Sequence, residues 1–185
     1  MLRAVVLAIA VLVLPASAWA YDNPIGRGLA DFLNIFSEQP IPRQTVPWAG
    51  KQPAGTVVIS TSQRRLHYVL GQGRAIRYGV GVGRQGFSWS GTKRVTMKRE
   101  WPDWRPPAAM LRRRPDLPRY MPGGIDNPLG ARAIYLGSSL YRIHGSNEPD
   151  TIGAAVSSGC IRMPNRDVTD LYERVRTGTK VVVLR

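Results

Sequence analysis

The fold and the chemistry of this chain depend most on residues 141–164, YRIHGSNEPDTIGAAVSSGCIRMP. The stretch holds the single cysteine of the 185-residue sequence, Cys160, and one of its two histidines, His144. The Ser-Ser-Gly that precedes the cysteine is typical of a tight turn rather than of a strand interior. A thiol at such a turn, with a candidate base sixteen residues earlier, is the strongest chemical signal in the sequence.

Cys160 needs a base to act as a nucleophile, because an ordinary cysteine titrates at about pH 8.5 and is mostly protonated at neutral pH. His144 is one candidate base and His67 is the other. His67 alternates with apolar residues in a predicted strand, which favours a position on a sheet face. His144 is followed by Gly145, whose carbonyl is free to orient the imidazole. We therefore predict that His144 serves Cys160 as proton acceptor and donor.

The turn before the thiol also predicts an anion-binding site. Gly159 allows the backbone to turn so that the amides of Ser158, Gly159 and Cys160 point to one spot, as an oxyanion hole requires. Arg162 fits two roles, and the sequence leaves both open: it can bind a substrate carboxylate with two hydrogen bonds, or it can brace the loop through a structural ion pair. The predicted substrate-binding residues are Arg162, Ser157 and Asn147.

Residues 1–20 are typical of a secretory signal. Arg3 forms a short positive region, residues 4–14 are all apolar, and Ala18-Trp19-Ala20 is a small-x-small cleavage site. The alternative is a membrane anchor, but the apolar run is shorter than the roughly 20 residues that a spanning helix needs. No second such run follows. We therefore predict an exported protein of the periplasm or cell envelope, without a transmembrane segment in its mature form.

Export favours a reactive role for a lone cysteine, because exported proteins usually pair their cysteines in disulfides. The alternative is that Cys160 is a small buried apolar residue.

The net charge of +14 predicts an anionic partner. Nucleic acid is a poor candidate, because the chain has a signal sequence and no recognition motif. An anionic cell envelope fits better, and a merely basic surface remains the alternative.

The chain divides into three predicted parts: the signal sequence at 1–20, an N-terminal arm with a proline-rich linker at 21–53, and a catalytic domain at 54–185. Within the arm, residues 28–36 have the apolar spacing of a short amphipathic helix. From Thr56 onward the domain is predicted to be mainly β, with short antiparallel strands at 56–61, 66–70 and 75–82. The glycines at 79, 81 and 83 lie within a strand pattern, so they predict close approach of another backbone rather than a dinucleotide site.

Residues 84–130 are rich in Gly, Pro, Trp and Arg and are predicted to be mostly irregular, with a strand at 91–97 and a helical turn at 110–114. A loop region of this length is usually functional, often as a binding wall, and a surface insertion packed on its own aromatic residues is the alternative. Further strands are predicted at 131–136, 139–144 and 180–184. Asn165 is predicted to cap the one helix that follows Cys160, with Val168, Leu171, Tyr172 and Val175 as its buried stripe.

The motif His144-Gly145 followed by Ser157-Ser158-Gly159-Cys160-Ile161-Arg162 resembles the signature of the L,D-transpeptidase catalytic domain family. Further matches are Ile152-Gly153, the helix start at 165–168 and the Gly178-Thr179 before the last strand. The resemblance covers about residues 56–184. Residues 87–90 depart from the family pattern, in which Thr and Pro are common at this point.

The resemblance implies a β-sandwich or partly closed sheet with one short helix after the catalytic cysteine, and no cofactor. It also implies that Cys160 forms a thioester with a peptidoglycan stem peptide and releases D-Ala, with His144 transferring the proton and the Gly145 carbonyl orienting His144. A second stem would then resolve the thioester and give a 3-3 cross-link. Water as acceptor would make a carboxypeptidase, and a lysine of an envelope protein would give anchoring.

Two other kinds of function remain open from the sequence. A non-catalytic protein could bind the envelope through its basic surface, although such a binder has no need of the Ser-x-Gly-Cys turn. A metal site built from His67, His144 and Cys160 is weaker, because the spacing matches no usual ligand pattern.

Overall fold

The computed structural model describes residues 41–185. The predicted signal sequence and the predicted helix at 28–36 lie outside the described residues. Residues 41–185 form eleven β-strands, two α-helices and one 3₁₀ turn at Pro149–Thr151. The strands are β1 (Gln44–Pro47), β2 (Val57–Ser60), β3 (Arg65–Gly71), β4 (Arg74–Gly79), β5 (Val82–Gly83), β6 (Gly91–Glu100), β7 (Arg132–Leu136), β8 (Arg142–His144), β9 (Ala155–Ser157), β10 (Ile161–Arg162) and β11 (Lys180–Leu184). The helices are α1 (Ala108–Arg113) and α2 (Asn165–Arg174).

Nine strands form one sheet in the order β1-β4-β3-β2-β11-β6-β7-β8-β10, and β5 and β9 form a separate parallel pair. The predicted meander is present, because β2, β3 and β4 pair antiparallel in sequence. The strand β11 closes the middle of the sheet, parallel to β2 and antiparallel to β6. The mainly β fold predicted from the sequence is therefore confirmed.

The sheet curls so that its last strand approaches the chain that follows β4. The amide of Gly81 donates to the carbonyl of Arg162 at 2.9 Å, and the amide of Arg162 donates back to Gly81 at 2.9 Å. A Cβ added at Gly81 would lie 2.8 Å from the carbonyl oxygen of Thr151. The close backbone approach predicted for this glycine is present, and it makes the sheet partly closed.

The core lies between the curled sheet and helix α2, which packs against β7 and β8. Val168 and Leu171 of the helix and Val175 directly after it are buried, and Tyr172 packs against the same cluster. Burial of such side chains contributes about 1.5–3 kcal/mol each. The helix holds β8 against the core, and β8 carries the first part of the site.

Two details differ from the sequence predictions. Residues 44–47 lie in the stretch interpreted as a linker, but they form the edge strand β1 on β4. An edge strand tolerates proline because one side of it needs no hydrogen-bond donors. The prediction that Asn165 caps α2 is wrong: Pro164 occupies the cap position and Asn165 is the first helical residue.

Neither helix within residues 41–185 has the length and apolar content required to cross a membrane.

Candidate active site

Three side chains of the site lie on one parallel pair of strands, and Cys160 directly precedes the second strand. In the β8–β10 register, Ile161 lies opposite Ile143 and Arg162 lies opposite His144. The isoleucines are buried in the core. Since side chains alternate between the two faces of a strand, the residues on either side of them face the opposite way. Arg142, His144, Cys160 and Arg162 accordingly line one cavity.

The turn that presents Cys160 is held by side-chain contacts from both sides. Ser157 Oγ donates to the carbonyl of Cys160 at 2.6 Å and accepts from the amide of Gly159 at 3.1 Å. Trp89 Nε1 donates to the carbonyl of Gly159 at 2.8 Å. The Trp89 ring stacks on Tyr141, with 4.5 Å between the ring centroids. The thiol is therefore presented by a rigid turn.

Gly159 is required at this turn for two reasons. Its φ is +106°, a conformation that residues with a side chain rarely adopt. A Cβ at this position would also lie 2.6 Å from Cε1 of Tyr141.

The thiol of Cys160 is half-buried, and Sγ donates to the carbonyl of Leu140 at 3.6 Å. Burial raises the pKa of Cys160 above its ordinary value, because the cavity wall withholds water from the charged form. Hydrogen bonds from the backbone and side chain of Arg142, together with the positive charges of Arg142 and Arg162, oppose this rise in the pKa. In the free protein Cys160 is therefore a neutral thiol at neutral pH.

His144 is also neutral. Its side chain is 4% exposed, and burial lowers its pKa to about 3, with further lowering by Arg162 and Arg142. Its Nδ1 lies 2.6 Å from the carbonyl oxygen of Gly145. Because a carbonyl can only accept, Nδ1 carries the proton and Nε2 keeps its lone pair. The geometry thus has the arrangement that the sequence predicted for Gly145, and it leaves Nε2 able to take a proton.

The segment after His144 is fixed by Asn165. Its Oδ1 accepts from the amides of Ala131 at 2.9 Å and Ser146 at 3.3 Å, and its Nδ2 donates to the carbonyl of Ser146 at 3.1 Å. A Cβ at Gly145 would collide with Asn165 Oδ1. The asparagine interpreted as a helix cap instead holds the strand end that orients His144.

In residues 41–185 no hydrogen bond joins Cys160 to His144, since the thiol bonds to Leu140 instead. The two side chains lie diagonally across adjacent strands, on one face of the pair. This arrangement is a neutral thiol beside a neutral imidazole rather than a preformed ion pair.

The three amides predicted to form the oxyanion hole are not equivalent. The amide of Gly159 is already bonded to Ser157 Oγ. The amides of Ser158 and Cys160 have no acceptor within the described part of the chain. Of the three amides, the two of Ser158 and Cys160 are therefore free of intramolecular acceptors in the described residues.

The residues predicted to bind substrate are in different situations. Arg162 Nη1 lies 2.6 Å from Glu148 Oε2, so the structural ion pair considered from the sequence has its partner. Asn147 is exposed, donates to the carbonyl of Asp126 at 3.0 Å and does not line the cavity. Ser157 lines the cavity, but its hydroxyl holds the Cys160 turn.

The cavity has a volume of about 440 Å³. Besides Arg142, His144, Cys160 and Arg162, much of its wall comes from the loop at 84–130, which contributes Phe87, Trp104, Met110, Arg113, Pro128 and Leu129. The loop thus forms part of the cavity wall, and its role in binding stays a prediction.

Sequence reasoning missed Arg142, Leu140, Trp89 and Tyr141. Arg142 carried a usable signal, because it stands two residues before His144 in a strand and must share its face. The contacts of Trp89 and Leu140 join residues distant in the chain and have no local signal.

His67 lies away from the cavity, with its ring centroid 5.2 Å from that of Trp48. No group of three or more His, Cys, Asp or Glu side chains in residues 41–185 is arranged to hold a metal ion. The metal hypothesis built on His67, His144 and Cys160 is therefore wrong.

Comparison with known proteins places this site in a family. The model of the L,D-transpeptidase catalytic domain (YkuD) matches residues 54–183. The Escherichia coli K12 protein named Probable L,D-transpeptidase YbiS is 38% identical over 135 residues, which are 69% of this chain and 43% of that protein. The chain thus spans less than half the length of this relative.

Solved structures agree on the fold. An L,D-transpeptidase from Mycobacterium smegmatis superposes with a TM-score of 0.57 at 16% identity, over 70% of this chain and 58% of that one. A Brucella melitensis protein named a probable carnitine operon oxidoreductase superposes with a TM-score of 0.54 at 42% identity, over 82% of this chain and 98% of that one. With the family model matching residues 54–183, and with Cys160 and His144 lining one cavity, this chain belongs to the L,D-transpeptidase family.

Proposed function

We propose that this protein is an exported cysteine L,D-transpeptidase that acts on peptidoglycan stem peptides through a thioester at Cys160. One observation carries the proposal: Cys160 and His144 share one face of a strand pair at a cavity, and Nδ1 of His144 is bonded to Gly145 so that Nε2 is free. Family membership supplies the substrate class.

In the proposed first step, Cys160 Sγ attacks the carbonyl carbon that joins the L-centre of a diamino acid to D-Ala. His144 Nε2 takes the thiol proton as the S–C bond forms. The carbon–nitrogen bond then breaks, the proton passes to the departing D-Ala amine, and the acyl group remains on sulfur.

The proton must move as the S–C bond forms, because both groups are neutral in the free protein. The negative charge that develops on the carbonyl oxygen can be met by the amides of Ser158 and Cys160. Removing one such donor typically costs about 3 kcal/mol of transition-state stabilisation.

The acyl acceptor decides the product. An amine of a second stem gives a 3-3 cross-link, water gives a trimmed stem, and a lysine of an envelope protein gives an anchored protein. We propose the cross-link as the main product, in line with the family.

The name of the Brucella protein suggests oxidoreductase chemistry. The glycine-rich residues 79–83 of this chain lie at the end of β4 and in β5, and no helix follows them directly. A dinucleotide fingerprint needs a strand, a glycine turn and then a helix. The described fold therefore favours acyl transfer.

The test is to incubate the full chain with purified disaccharide-tetrapeptide muropeptides and to read the products by mass. We expect loss of D-Ala and a dimer of the corresponding mass. Cys160→Ala should abolish both products, and His144→Gln should lower the rate by at least about 100-fold. His67→Gln is the matched control and should keep its activity. Turnover by Cys160→Ala would refute the thioester.

The proposed export is tested separately by fractionating cells that produce the full chain. Cleavage after Ala20 and recovery from the envelope fraction are expected. An uncleaved chain in the cytosol would contradict this part of the proposal.

A further inference from the structure

Arg142 is a cation of the site without a carboxylate partner. Among residues 41–185, Arg162 pairs with Glu148, whereas Arg142 makes no ion pair and the hydrogen bond of its side chain goes to the Cys160 thiol. Its Nε is buried with no partner. The guanidinium lies over the ring of Tyr135, at 5.0 Å from the centroid. A buried donor without an acceptor lowers stability, so a ligand that accepts a hydrogen bond from this group would be favoured.

The position of Arg142 relates it to the thiol. The strands β8 and β10 pair in parallel with Ile143 opposite Ile161, so one residue earlier Arg142 stands beside Cys160. Paired strands lie about 4.8 Å apart. Both side chains line the cavity, and the charge of Arg142 acts on the thiol. Any anion bound by Arg142 is therefore close to the reacting sulfur.

The proposed substrate carries an anion at that distance. In a stem that ends at D-Ala, the terminal carboxylate is separated from the attacked carbonyl carbon by only one nitrogen and one α-carbon, a span of about 3–4 Å. One residue more at the end of the stem would move the terminal carboxylate by about 3.8 Å.

We propose that Arg142 binds the terminal carboxylate of the departing D-amino acid and so makes the site selective for stems that end at that residue. The inference rests on the proposed function, and it reassigns to Arg142 the carboxylate-binding role considered for Arg162. The planar guanidinium suits this role because it can donate two parallel hydrogen bonds to a carboxylate.

The turnover test compares a tetrapeptide stem with the same stem carrying a C-terminal amide. The wild-type chain is expected to prefer the free acid by about 10- to 100-fold in kcat/KM, the range of a charge-assisted hydrogen bond. In Arg142→Met the ratio of the two rates should fall close to one. Arg142→Lys keeps the charge and should retain part of the ratio. Arg119→Met, an exposed arginine away from the cavity, should retain all of it.

A preference for the acid that survives in Arg142→Met would overturn the proposal. Equal losses for acid and amide would overturn it as well, since they would mean that Arg142 acts only on the thiol. The rate of Cys160 alkylation by neutral iodoacetamide separates these cases, because thiol tuning alone predicts that alkylation falls with turnover.

Binding provides a measurement that does not depend on turnover. In the full chain with Cys160→Ala, calorimetry should find the free acid bound about 10- to 100-fold more tightly than the amide, and the added Arg142→Met should remove the difference. Equal affinities in Cys160→Ala would overturn the carboxylate site. If the wild-type chain turned over neither stem while this binding preference held, the proposed function would fail and the carboxylate site would stand.

Discussion

The burial of His144 predicts that this domain loses stability in mild acid. The folded protein holds the pKa of His144 at about 3, whereas an unfolded chain has the ordinary value of 6.5. Below pH 6.5 His144 therefore binds a proton in the unfolded state but not in the folded state. The free energy of unfolding should fall as the pH decreases from about 6.5 towards 3.

The size of the effect follows from the shift. The full difference in pKa corresponds to about 5 kcal/mol, reached only below pH 3. At pH 5 the unfolded histidine is almost fully protonated and the folded one is not, which gives a loss of about 2 kcal/mol relative to pH 8. The free energy of unfolding of a natural domain is about 5–15 kcal/mol in total, so a loss of this size is measurable.

Urea unfolding of the full chain at several pH values between 8 and 5 provides the assay, with His144→Gln as the perturbation. Between pH 8 and pH 5 the wild type should lose about 2 kcal/mol more unfolding free energy than His144→Gln. Any stability advantage of the wild type at pH 8 should therefore shrink or reverse at pH 5. His67→Gln is the matched control and should keep most of the acid loss. A gap between wild type and His144→Gln that stays constant from pH 8 to pH 5 would refute the reasoning, as would a His144 NMR signal that titrates near pH 6.5.

Three further outcomes are expected. Asn165→Ala removes three hydrogen bonds to the segments at Ala131 and Ser146 and should cost about 2–3 kcal/mol in urea unfolding, together with a fall in turnover, whereas an unchanged midpoint would contradict the bracing role. Gly159→Ala puts a Cβ against Tyr141 at positive φ and should lose turnover and lower the melting temperature, and full activity in this variant would show that the turn is not rigid. The rate of Cys160 alkylation by iodoacetamide should still rise with pH at about 8.5, the ordinary midpoint of a thiol, because burial raises the pKa of this cysteine. A rate that reaches its plateau below that pH would contradict the raised pKa.

That Cys160 and His144 line one cavity was largely predictable from residues 141–164. Strand alternation separated His67 from the site, and Gly145 beside His144 indicated a carbonyl that orients the ring. These features depend on neighbours in the chain, which is why local patterns could find them.

Other parts depended on contacts between distant residues. An asparagine at a helix start normally caps the helix, and only the approach of Ala131 and Ser146 turns Asn165 into a brace for β8. The two roles of Arg162 could not be separated until Glu148 was found beside it. The prolines of residues 41–53 indicated a linker because the sequence does not say that β1 lies at the edge of a sheet.

The position of β11 has a consequence for how the chain folds as it is made. Lys180–Leu184 is the last described strand, yet it lies between β2 and β6. It pairs with β2, more than a hundred positions earlier, and with β6, about ninety positions earlier. Until it emerges from the ribosome, the two halves of the sheet have facing open edges and no strand to join them. Folding of the domain is thus postponed to the end of its synthesis. Any protein that binds the unfolded chain can therefore do so during nearly the whole synthesis of this domain.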